Sequence, residues 1–348
     1  MINKKLFTKN KKIFFLKENF LLKNDLSIKN KFCTKNILSS CKHGTEKWII
    51  DQKAHWIKNK RDRVSNFFTS KKHENFNSAQ PLGNMIVGKI ISSPKSVSRF
   101  KNGDIVLAYA GAADYSFLNF EDIICKVKKD VPYEKYLCFD PLVFAIGALR
   151  DSKFKYGDNV GIVGLGAIGL VTLSIFKKQS LGKIVVVDLD RSRLSIAKKI
   201  GADITLDVSK KKETEHYRTK LDKVGLDVVF DFSGSVSGLN TAISLCKYNG
   251  KVVAGSMYNE ANSDLKLGKE FHWNNIKIIS SRAVNEPYSD YPSWNKNRIF
   301  NIALKIINSK NYQFKKIILK KFLFKDAIKI YKKNIKNNKI LKLTFLHK

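Results

Sequence analysis

The sequence predicts an α/β protein in which a doubly wound parallel sheet is set within β-rich chain, and three observations carry that prediction. Short strands broken by polar turns fill roughly the first 135 residues. From Asp140-Pro141 onward, strands alternate with helices of about ten residues, the pattern of a parallel sheet covered on both faces. Within that second region a three-glycine turn, Gly164-Leu165-Gly166-Ala167-Ile168-Gly169, joins a strand to a helix.

Taken in order, Met1 to Lys12 is basic and free of acids, but its apolar continuation Ile13 to Leu16 is too short for a signal-peptide core. It fits a mitochondrial presequence in composition and reads as the first strand of the fold. Strands follow at Lys12 to Leu16, Met85 to Ile91, Asp104 to Leu107 and Asp122 to Val127, where Val, Ile and Phe alternate with polar residues. A helix from Leu142 to Phe154 opens the second region. Strands at Asn159 to Val163, Lys183 to Val187, Asp227 to Phe230, Lys251 to Ala254 and Ile276 to Ser280 then alternate with helices at Ala167 to Lys178, Arg191 to Ile200, around Lys210 to Lys220, and Val236 to Lys247. The unbroken apolar run Ile184 to Val187 suits a strand buried on both faces. After about residue 285 the rhythm stops. A helix at Arg298 to Ile307, an apolar stripe of Phe324, Ala327, Ile328 and Tyr331 at helical spacing, and a closing strand at Ile340 to Phe345 complete the chain. The expected organisation is residues 1–140, a nucleotide domain over 141–285, and a return over 286–348.

Composition bounds the function. With 43% hydrophobic and 11% aromatic residues in 348, the chain can bury two ordinary cores. No apolar run approaches the roughly 20 residues a membrane span needs. The formal charge of +35 invites a nucleic-acid reading, but it comes from 56 lysines and only nine arginines spread evenly among Asn, Ile and Phe. Bidentate phosphate and base recognition favours arginine, so the charge reads as a codon bias and no nucleic-acid partner is expected. The five cysteines are odd in number and never two residues apart, which indicates neither a disulfide framework nor a zinc knuckle and makes a reducing cytoplasm the expected location.

The glycine turn has the context that makes it physical. Gly164 permits the tight turn after the strand, Gly166 lets the backbone approach a pyrophosphate with no β-carbon in the way, and Gly169 lets the helix pack close to the strand. The diphosphate would then sit over Leu165, Ala167 and Ile168 at the positive end of the helix. Asp188 ends the next strand nineteen residues after Gly169, where a carboxylate can accept hydrogen bonds from the ribose hydroxyls. A 2′-phosphate would meet that carboxylate with like charge, so NAD is expected over NADP, with Arg191 and Arg193 as the residues that keep NADP in play.

These residues, with Ser39-Ser40-Cys41-Lys42-His43-Gly44-Thr45-Glu46, Phe100-Lys101-Asn102-Gly103-Asp104, Asp231-Phe232-Ser233-Gly234 and Phe324-Lys325-Asp326-Ala327, resemble the medium-chain dehydrogenase/reductase superfamily along nearly the whole chain. The Gly44-Thr45-Glu46 signature, with Glu270-Phe271-His272, is most similar to the zinc-type alcohol, threonine or bacteriochlorophyllide dehydrogenase subgroup. The resemblance implies a Rossmann domain inserted into a GroES-like catalytic domain, with substrate oxidised or reduced in the cleft where they meet. It also implies that Phe232, Ser233, Gly234, Gly255 and Ser256 line the nicotinamide half of the cofactor site, with Ser280 to Ala283 near the same ring, and that the protein forms homo-oligomers.

The departures from the family pattern are informative. Zinc members hold the metal with a cysteine, a histidine and a cysteine or acid. Here the resemblance puts Lys42 at the cysteine position and Gly83-Asn84-Met85 at the usual Gly-His-Glu, leaving Asp140 as the one oxygen ligand. The stretch of the four-cysteine lobe carries only Cys125. No zinc is therefore expected. The proton path must come from side chains, for which Lys42, Glu46 and Asp140 are the candidates, followed by Tyr115 and His272. A surface lysine, a helix-capping Glu46 and an N-capping Asp140 explain the same residues without catalysis. The expected function is an NAD(H)-dependent, zinc-independent oxidoreductase of a small or sugar-like alcohol or carbonyl compound. The alternatives are an NADPH-dependent quinone or enone reductase and a non-catalytic nucleotide- or RNA-binding protein.

Overall fold

The computed structural model describes residues 1–22, 30–54, 59–62, 64–65, 67–70, 78–94, 99–179, 182–209, 225–258, 264–282, 290–312, 314, 317, 320–337 and 340–348. The chain divides into two compact units, Met1–Leu137 with Ile318–Lys348, and Cys138–Ile317. The sequence placed the return to the first unit near residue 285. The difference arises at the helix Lys296–Asn308, which belongs to the second unit and stacks Phe300 edge-on against Phe139 with ring centroids 4.9 Å apart.

The first unit is the β-rich one. Its strands are β1 (Ile2–Lys9), β2 (Lys12–Asn19), β3 (Phe32–Ser40), β4 (Asn59–Arg61), β5 (Phe68–Ser70), β6 (Gln80–Pro81), β7 (Met85–Ser92), β8 (Ile105–Ala108), β9 (Tyr115–Leu118) and β10 (Ile123–Lys126). The N-terminal segment does form strand: β1 and β2 make a hairpin whose two-residue turn, Asn10-Lys11, has both residues at positive φ, as the tightest hairpins require. The last two strands, β17 (Lys321–Leu323) and β18 (Thr344–Leu346), complete a sheet ordered β10-β8-β7-β3-β18-β17, with β9 also paired to β3. Thus β3 is central. It carries a polar core, in which buried Asn36 donates to the Ala113 carbonyl (2.7 Å) and to Ser116 Oγ (2.8 Å) and accepts from Thr34 Oγ1 (2.9 Å). The C-terminal return packs Phe324, Tyr331 and Phe345 against Leu6, Cys41 and Leu82. It is also tied by His347, whose ring bridges Ser39 Oγ (2.9 Å) and Asp114 Oδ1 (3.1 Å). Burial pushes the His347 imidazole below its ordinary value, against the pull of Asp114. Since Ser39 is fully buried, this chain of three groups is a strut rather than a nucleophile site.

The second unit is a Rossmann fold. Its strands β11 (Val160–Val163), β12 (Ile184–Asp188), β13 (Ile204–Asp207), β14 (Leu226–Asp231), β15 (Cys246–Ala254) and β16 (Lys277–Ser280) are all parallel in the order β13-β12-β11-β14-β15-β16. The order reverses between β11 and β14, the switch point at whose carboxyl side such sheets bind ligands. β11 and β12 are buried throughout, which explains their unbroken apolar sequence. Helices Ala167–Phe176, Arg191–Ile200 and Val236–Leu245 follow β11, β12 and β14. The helix expected around Lys210 to Lys220 lies outside the described residues.

Candidate functional site

In the second unit, the turn after β11 is shaped by its glycines for different reasons. Gly164 adopts φ +89°, and a β-carbon there would lie 2.6 Å from the Ser233 amide nitrogen. A β-carbon on Gly169 would lie 2.1 Å from the Gly164 carbonyl oxygen, so the helix sits directly on the turn. Gly166 is different: it is the N-cap residue of helix Ala167–Phe176, no side chain caps that helix, and a β-carbon on it would meet no protein atom within 4 Å. Protein packing therefore explains Gly164 and Gly169 and leaves Gly166 to whatever approaches the helix N-terminus. Leu165 is fully buried and anchors the turn from beneath, with Ala167 and Ile168 beginning the helix.

Asp188 ends β12 and is held by backbone. Its Oδ2 accepts from the Leu165 amide (2.6 Å) and its Oδ1 from the Asp190 amide (2.8 Å), so the glycine turn and the acid are locked to each other. Each carboxylate oxygen keeps acceptor capacity for a further donor. Arg193 lies 3.9 Å from Asp188 and 3.8 Å from Asp190, whereas Arg191 turns away to Asp207 (2.8 Å). Hydrogen bonds from Ser209 and Arg191 pull the Asp207 carboxyl down to about 2.

At the end of β14, buried Asp231 accepts from the Ser233 amide and from Tyr258 Oη, both at 2.8 Å, which fixes the Phe232-Ser233-Gly234 turn. Gly234 has φ +68°. Gly255 accommodates a protein group: a β-carbon there would lie 2.4 Å from Phe232 Cε1, and Ser256 follows it half-buried. Of the segment expected near the nicotinamide, Ser281 donates to Asp151 Oδ2 (2.6 Å), and Ala283 lies outside the described residues.

The expected proton-path residues fall in both units. Asp140 belongs to the second, in the first turn of helix Phe139–Ser152, whose N-cap is Cys138. Lys42 and Glu46 belong to the first: Lys42 is the N-cap of helix His43–Ile50 and its carbonyl accepts from the Glu46 amide (2.9 Å). Glu46 does not cap that helix. It is 4% exposed, its Oε1 accepts from the Gly83 amide (2.7 Å), and its Oε2 has no hydrogen-bond partner in the protein. Burial pushes its carboxyl up to about 7, against backbone hydrogen bonds from Lys42 and Gly83 and the charges of Lys342 and Lys42. Lys342, which the sequence did not single out, is buried and donates to the Cys41 carbonyl (3.3 Å). Tyr115 packs edge-on against Phe20, and His272 is exposed on the helix Glu270–Trp273.

The Glu46 shift has a stability consequence. Between pH 4.5 and about 7 the folded protein retains a proton that the unfolded chain has released, so stability falls as pH rises through that window. The full cost is on the order of 3 kcal/mol and is present above pH 7. Glu46→Gln is expected to remove this slope, giving a melting temperature that gains on the wild type between pH 5 and pH 8. His347 contributes an opposite slope, but equally to both proteins. Parallel melting curves across pH would refute the assignment.

Among the described residues no group of three or more His, Cys, Asp or Glu side chains could hold a metal ion. The Cys41 thiol is pushed well above its ordinary range by burial, with Glu46 adding to the shift, and the neighbouring buried Lys342 ammonium disfavours a second cation. No helix among the described residues is long and apolar enough to cross a membrane.

Comparison with known proteins bears on the same segments. Residues 167–296 match the family described as zinc-binding dehydrogenase. The chain is similar to D-guloside 3-dehydrogenase of Escherichia coli K12, with 33% identity over 220 residues. That match covers 63% of this chain and 63% of that protein, so it spans less than two thirds of the relative's length. Two solved structures share the fold over 99% of both chains. One is a short chain alcohol dehydrogenase from Escherichia coli CFT073 complexed with NADH (TM-score 0.73, 15% identity). The other, from Sinorhizobium meliloti 1021, is bound to NADP (TM-score 0.76, 13% identity).

Proposed function

We propose that the chain is an NAD(H)-dependent, zinc-independent dehydrogenase of a sugar-like secondary alcohol, of the medium-chain dehydrogenase/reductase type that its similarity to the zinc-binding dehydrogenase family and to D-guloside 3-dehydrogenase supports. The observation that carries this reading is the pairing of a bare, uncapped helix N-terminus at Gly166 with the backbone-anchored carboxylate of Asp188. Gly164, Leu165, Gly166, Ala167, Ile168 and Gly169 cradle the diphosphate through backbone amides. Asp188 accepts from the ribose hydroxyls, Arg193 steadies that carboxylate, and Ser233, Gly234, Gly255 and Ser256 border the nicotinamide. The nicotinamide supplies or accepts the hydride. The proton then falls to protein groups, for which Lys42, Glu46 and Asp140 are proposed.

The name of the guloside-oxidising relative supports a glycoside or polyol hydroxyl as the reacting group. Lys42 and Asn84 at the positions where the family pattern has metal-ligating cysteine and histidine support chemistry without zinc. A second reading, use of NADPH as in quinone or enone reduction, is favoured by Arg193 beside the ribose position and opposed by the charge of Asp188. The test is titration of the purified protein with NADH and NADPH, followed by fluorescence, and then turnover over a panel of polyols, glycosides and enones after chelation. Sub-millimolar NADH binding with chelator-resistant oxidation of a polyol or glycoside is expected. Failure to bind either nucleotide would remove the proposal, and tighter NADPH binding with enone turnover would replace it by the second reading.

A further inference from the structure

We propose that Ser40, Glu46 and Asn84 form a metal-free site for a substrate hydroxyl in the β-rich unit, with Glu46 as the group that takes and returns the hydroxyl proton. The inference deepens the dehydrogenase reading and rests on it for the identity of the reaction. Its physical basis is a concentration of unpartnered polarity. Folded proteins pair nearly all buried polar atoms, because an orphaned one keeps the cost of leaving water with nothing to offset it. Ser40 Oγ, Glu46 Oε2 and both Asn84 amide atoms, Nδ2 and Oδ1, are buried without a protein partner. They account for four of the seven such atoms among the described residues, and hydrogen bonds tie their residues to one backbone junction.

That junction lies where β3 ends and β7 begins, with Ser40 opposite Met85 in the ladder. The Asn84 amide nitrogen donates to the Ser40 carbonyl (3.0 Å), and the preceding amide, of Gly83, donates to Glu46 Oε1 (2.7 Å). One carboxylate oxygen of Glu46 is therefore spent on holding the side chain, and the other remains for a ligand. Backbone fixes the junction further, since a β-carbon on Gly83 would lie 2.3 Å from the Ala112 nitrogen. Of the three residues, Asn84 stands where the family resemblance would put a metal-ligating histidine, and the chemistry of the set differs in kind from a ligand set. A hydroxyl, a primary amide and a carboxyl offer both donors and acceptors without a soft ligand. That set complements a neutral polyhydroxylated molecule, whose hydroxyls each donate and accept. Lys342, buried beside Cys41, disfavours a cation in the same place.

In the oxidising direction the substrate O–H bond breaks and its proton goes to Glu46 Oε2. A bound nicotinamide would accept the carbinol hydride, the C–H bond breaking with its electron pair as the C=O bond forms. Reduction runs the same transfers backward, so atoms and charge balance without a metal. The elevated affinity of Glu46 for a proton suits a group that must both accept and release one near neutral pH.

The experiment uses the full-length protein and its Glu46→Gln, Asn84→Ala and Ser40→Ala variants. In a cofactor-free arm, infrared difference spectra across pH follow the protonated-carboxyl band, with and without sorbitol or glycerol. A band titrating near neutrality that disappears in Glu46→Gln, and that shifts with polyol in wild type but not in Asn84→Ala, is the expected result. A band insensitive to polyol, as for a carboxyl solvated by ordered water only, overturns the proposal. In the kinetic arm, Glu46→Gln is expected to lose roughly 100- to 10,000-fold in polyol turnover while NADH affinity stays as in wild type. Asn84→Ala and Ser40→Ala are expected to raise KM more than they lower kcat. Wild-type turnover by Glu46→Gln, or stoichiometric zinc whose removal abolishes activity, overturns it as well. A wild-type protein that binds no NADH sinks the dehydrogenase reading, while the infrared arm still decides the hydroxyl site.

Discussion

Gly166→Val is expected to weaken NADH binding at least about 100-fold, roughly 3 kcal/mol, while leaving the nucleotide unit folded. The backbone at Gly166 has φ −70° and ψ −167°, which valine adopts without strain, and a β-carbon meets no protein atom within 4 Å. The main structural penalty is valine's poor performance as an N-cap, about 1 kcal/mol and a few degrees in melting temperature. Cofactor affinity suffers because the isopropyl group occupies the space over the first amides of the helix, where a diphosphate must sit within hydrogen-bond distance. Gly164→Val provides the contrast. There φ is +89° and the new β-carbon collides with the Ser233 amide, so stability falls with affinity, by more than about 2 kcal/mol. Paired fluorescence titrations and thermal melts on the two variants separate the effects. Intact NADH affinity in a folded Gly166→Val protein would mean that the helix N-terminus is not the nucleotide site.

The contrast also explains what the sequence made legible. The glycine turn, the strand before it and the acid at the end of β12 are constrained by local chain geometry, and the pattern of glycines at fixed offsets records that constraint directly. The parallel sheet was readable for a similar reason: β11 and β12 are buried on both faces and appear as unbroken apolar runs. β3 was not readable. Its centre, Thr34 and Asn36, is polar, and only the pairing of Asn36 with Ala113 and Ser116, about 80 residues away, makes it the middle of a sheet. The fate of Glu46 was hidden in the same way. A glutamate after Gly-Thr looks like the start of a surface helix until Gly83, 37 residues on, claims one of its oxygens and the chain closes over the other. Lys342 lies nearly 300 residues from Glu46 and is one of 56 lysines, so composition concealed it. Contacts that close in sequence leave a pattern, and contacts made by the fold leave only unremarkable residue types.

Asp188 carries the second large effect, and its geometry determines which substitution is informative. Asp188→Ser removes the acceptors of both the Leu165 and Asp190 amides, so it is expected to loosen the glycine turn along with the ribose contact. Asp188→Asn keeps one acceptor oxygen at the same position and cancels the charge, leaving a sharper test. With two hydrogen bonds to a charged carboxylate weakened, kcat/KM for NADH is expected to fall roughly 100-fold. NADPH loses nothing comparable, because the repulsion between its 2′-phosphate and the carboxylate goes at the same time and Arg193, 3.9 Å from Asp188, becomes a partner for the phosphate. The ratio of kcat/KM for NADH to that for NADPH should therefore drop by nearly the whole NADH factor. Adding Arg193→Ala to Asp188→Asn should return part of that drop by removing the phosphate's cation. A ratio unchanged by Asp188→Asn would mean that the carboxylate serves only to brace Leu165 and Asp190, and that cofactor choice is made elsewhere in the unit.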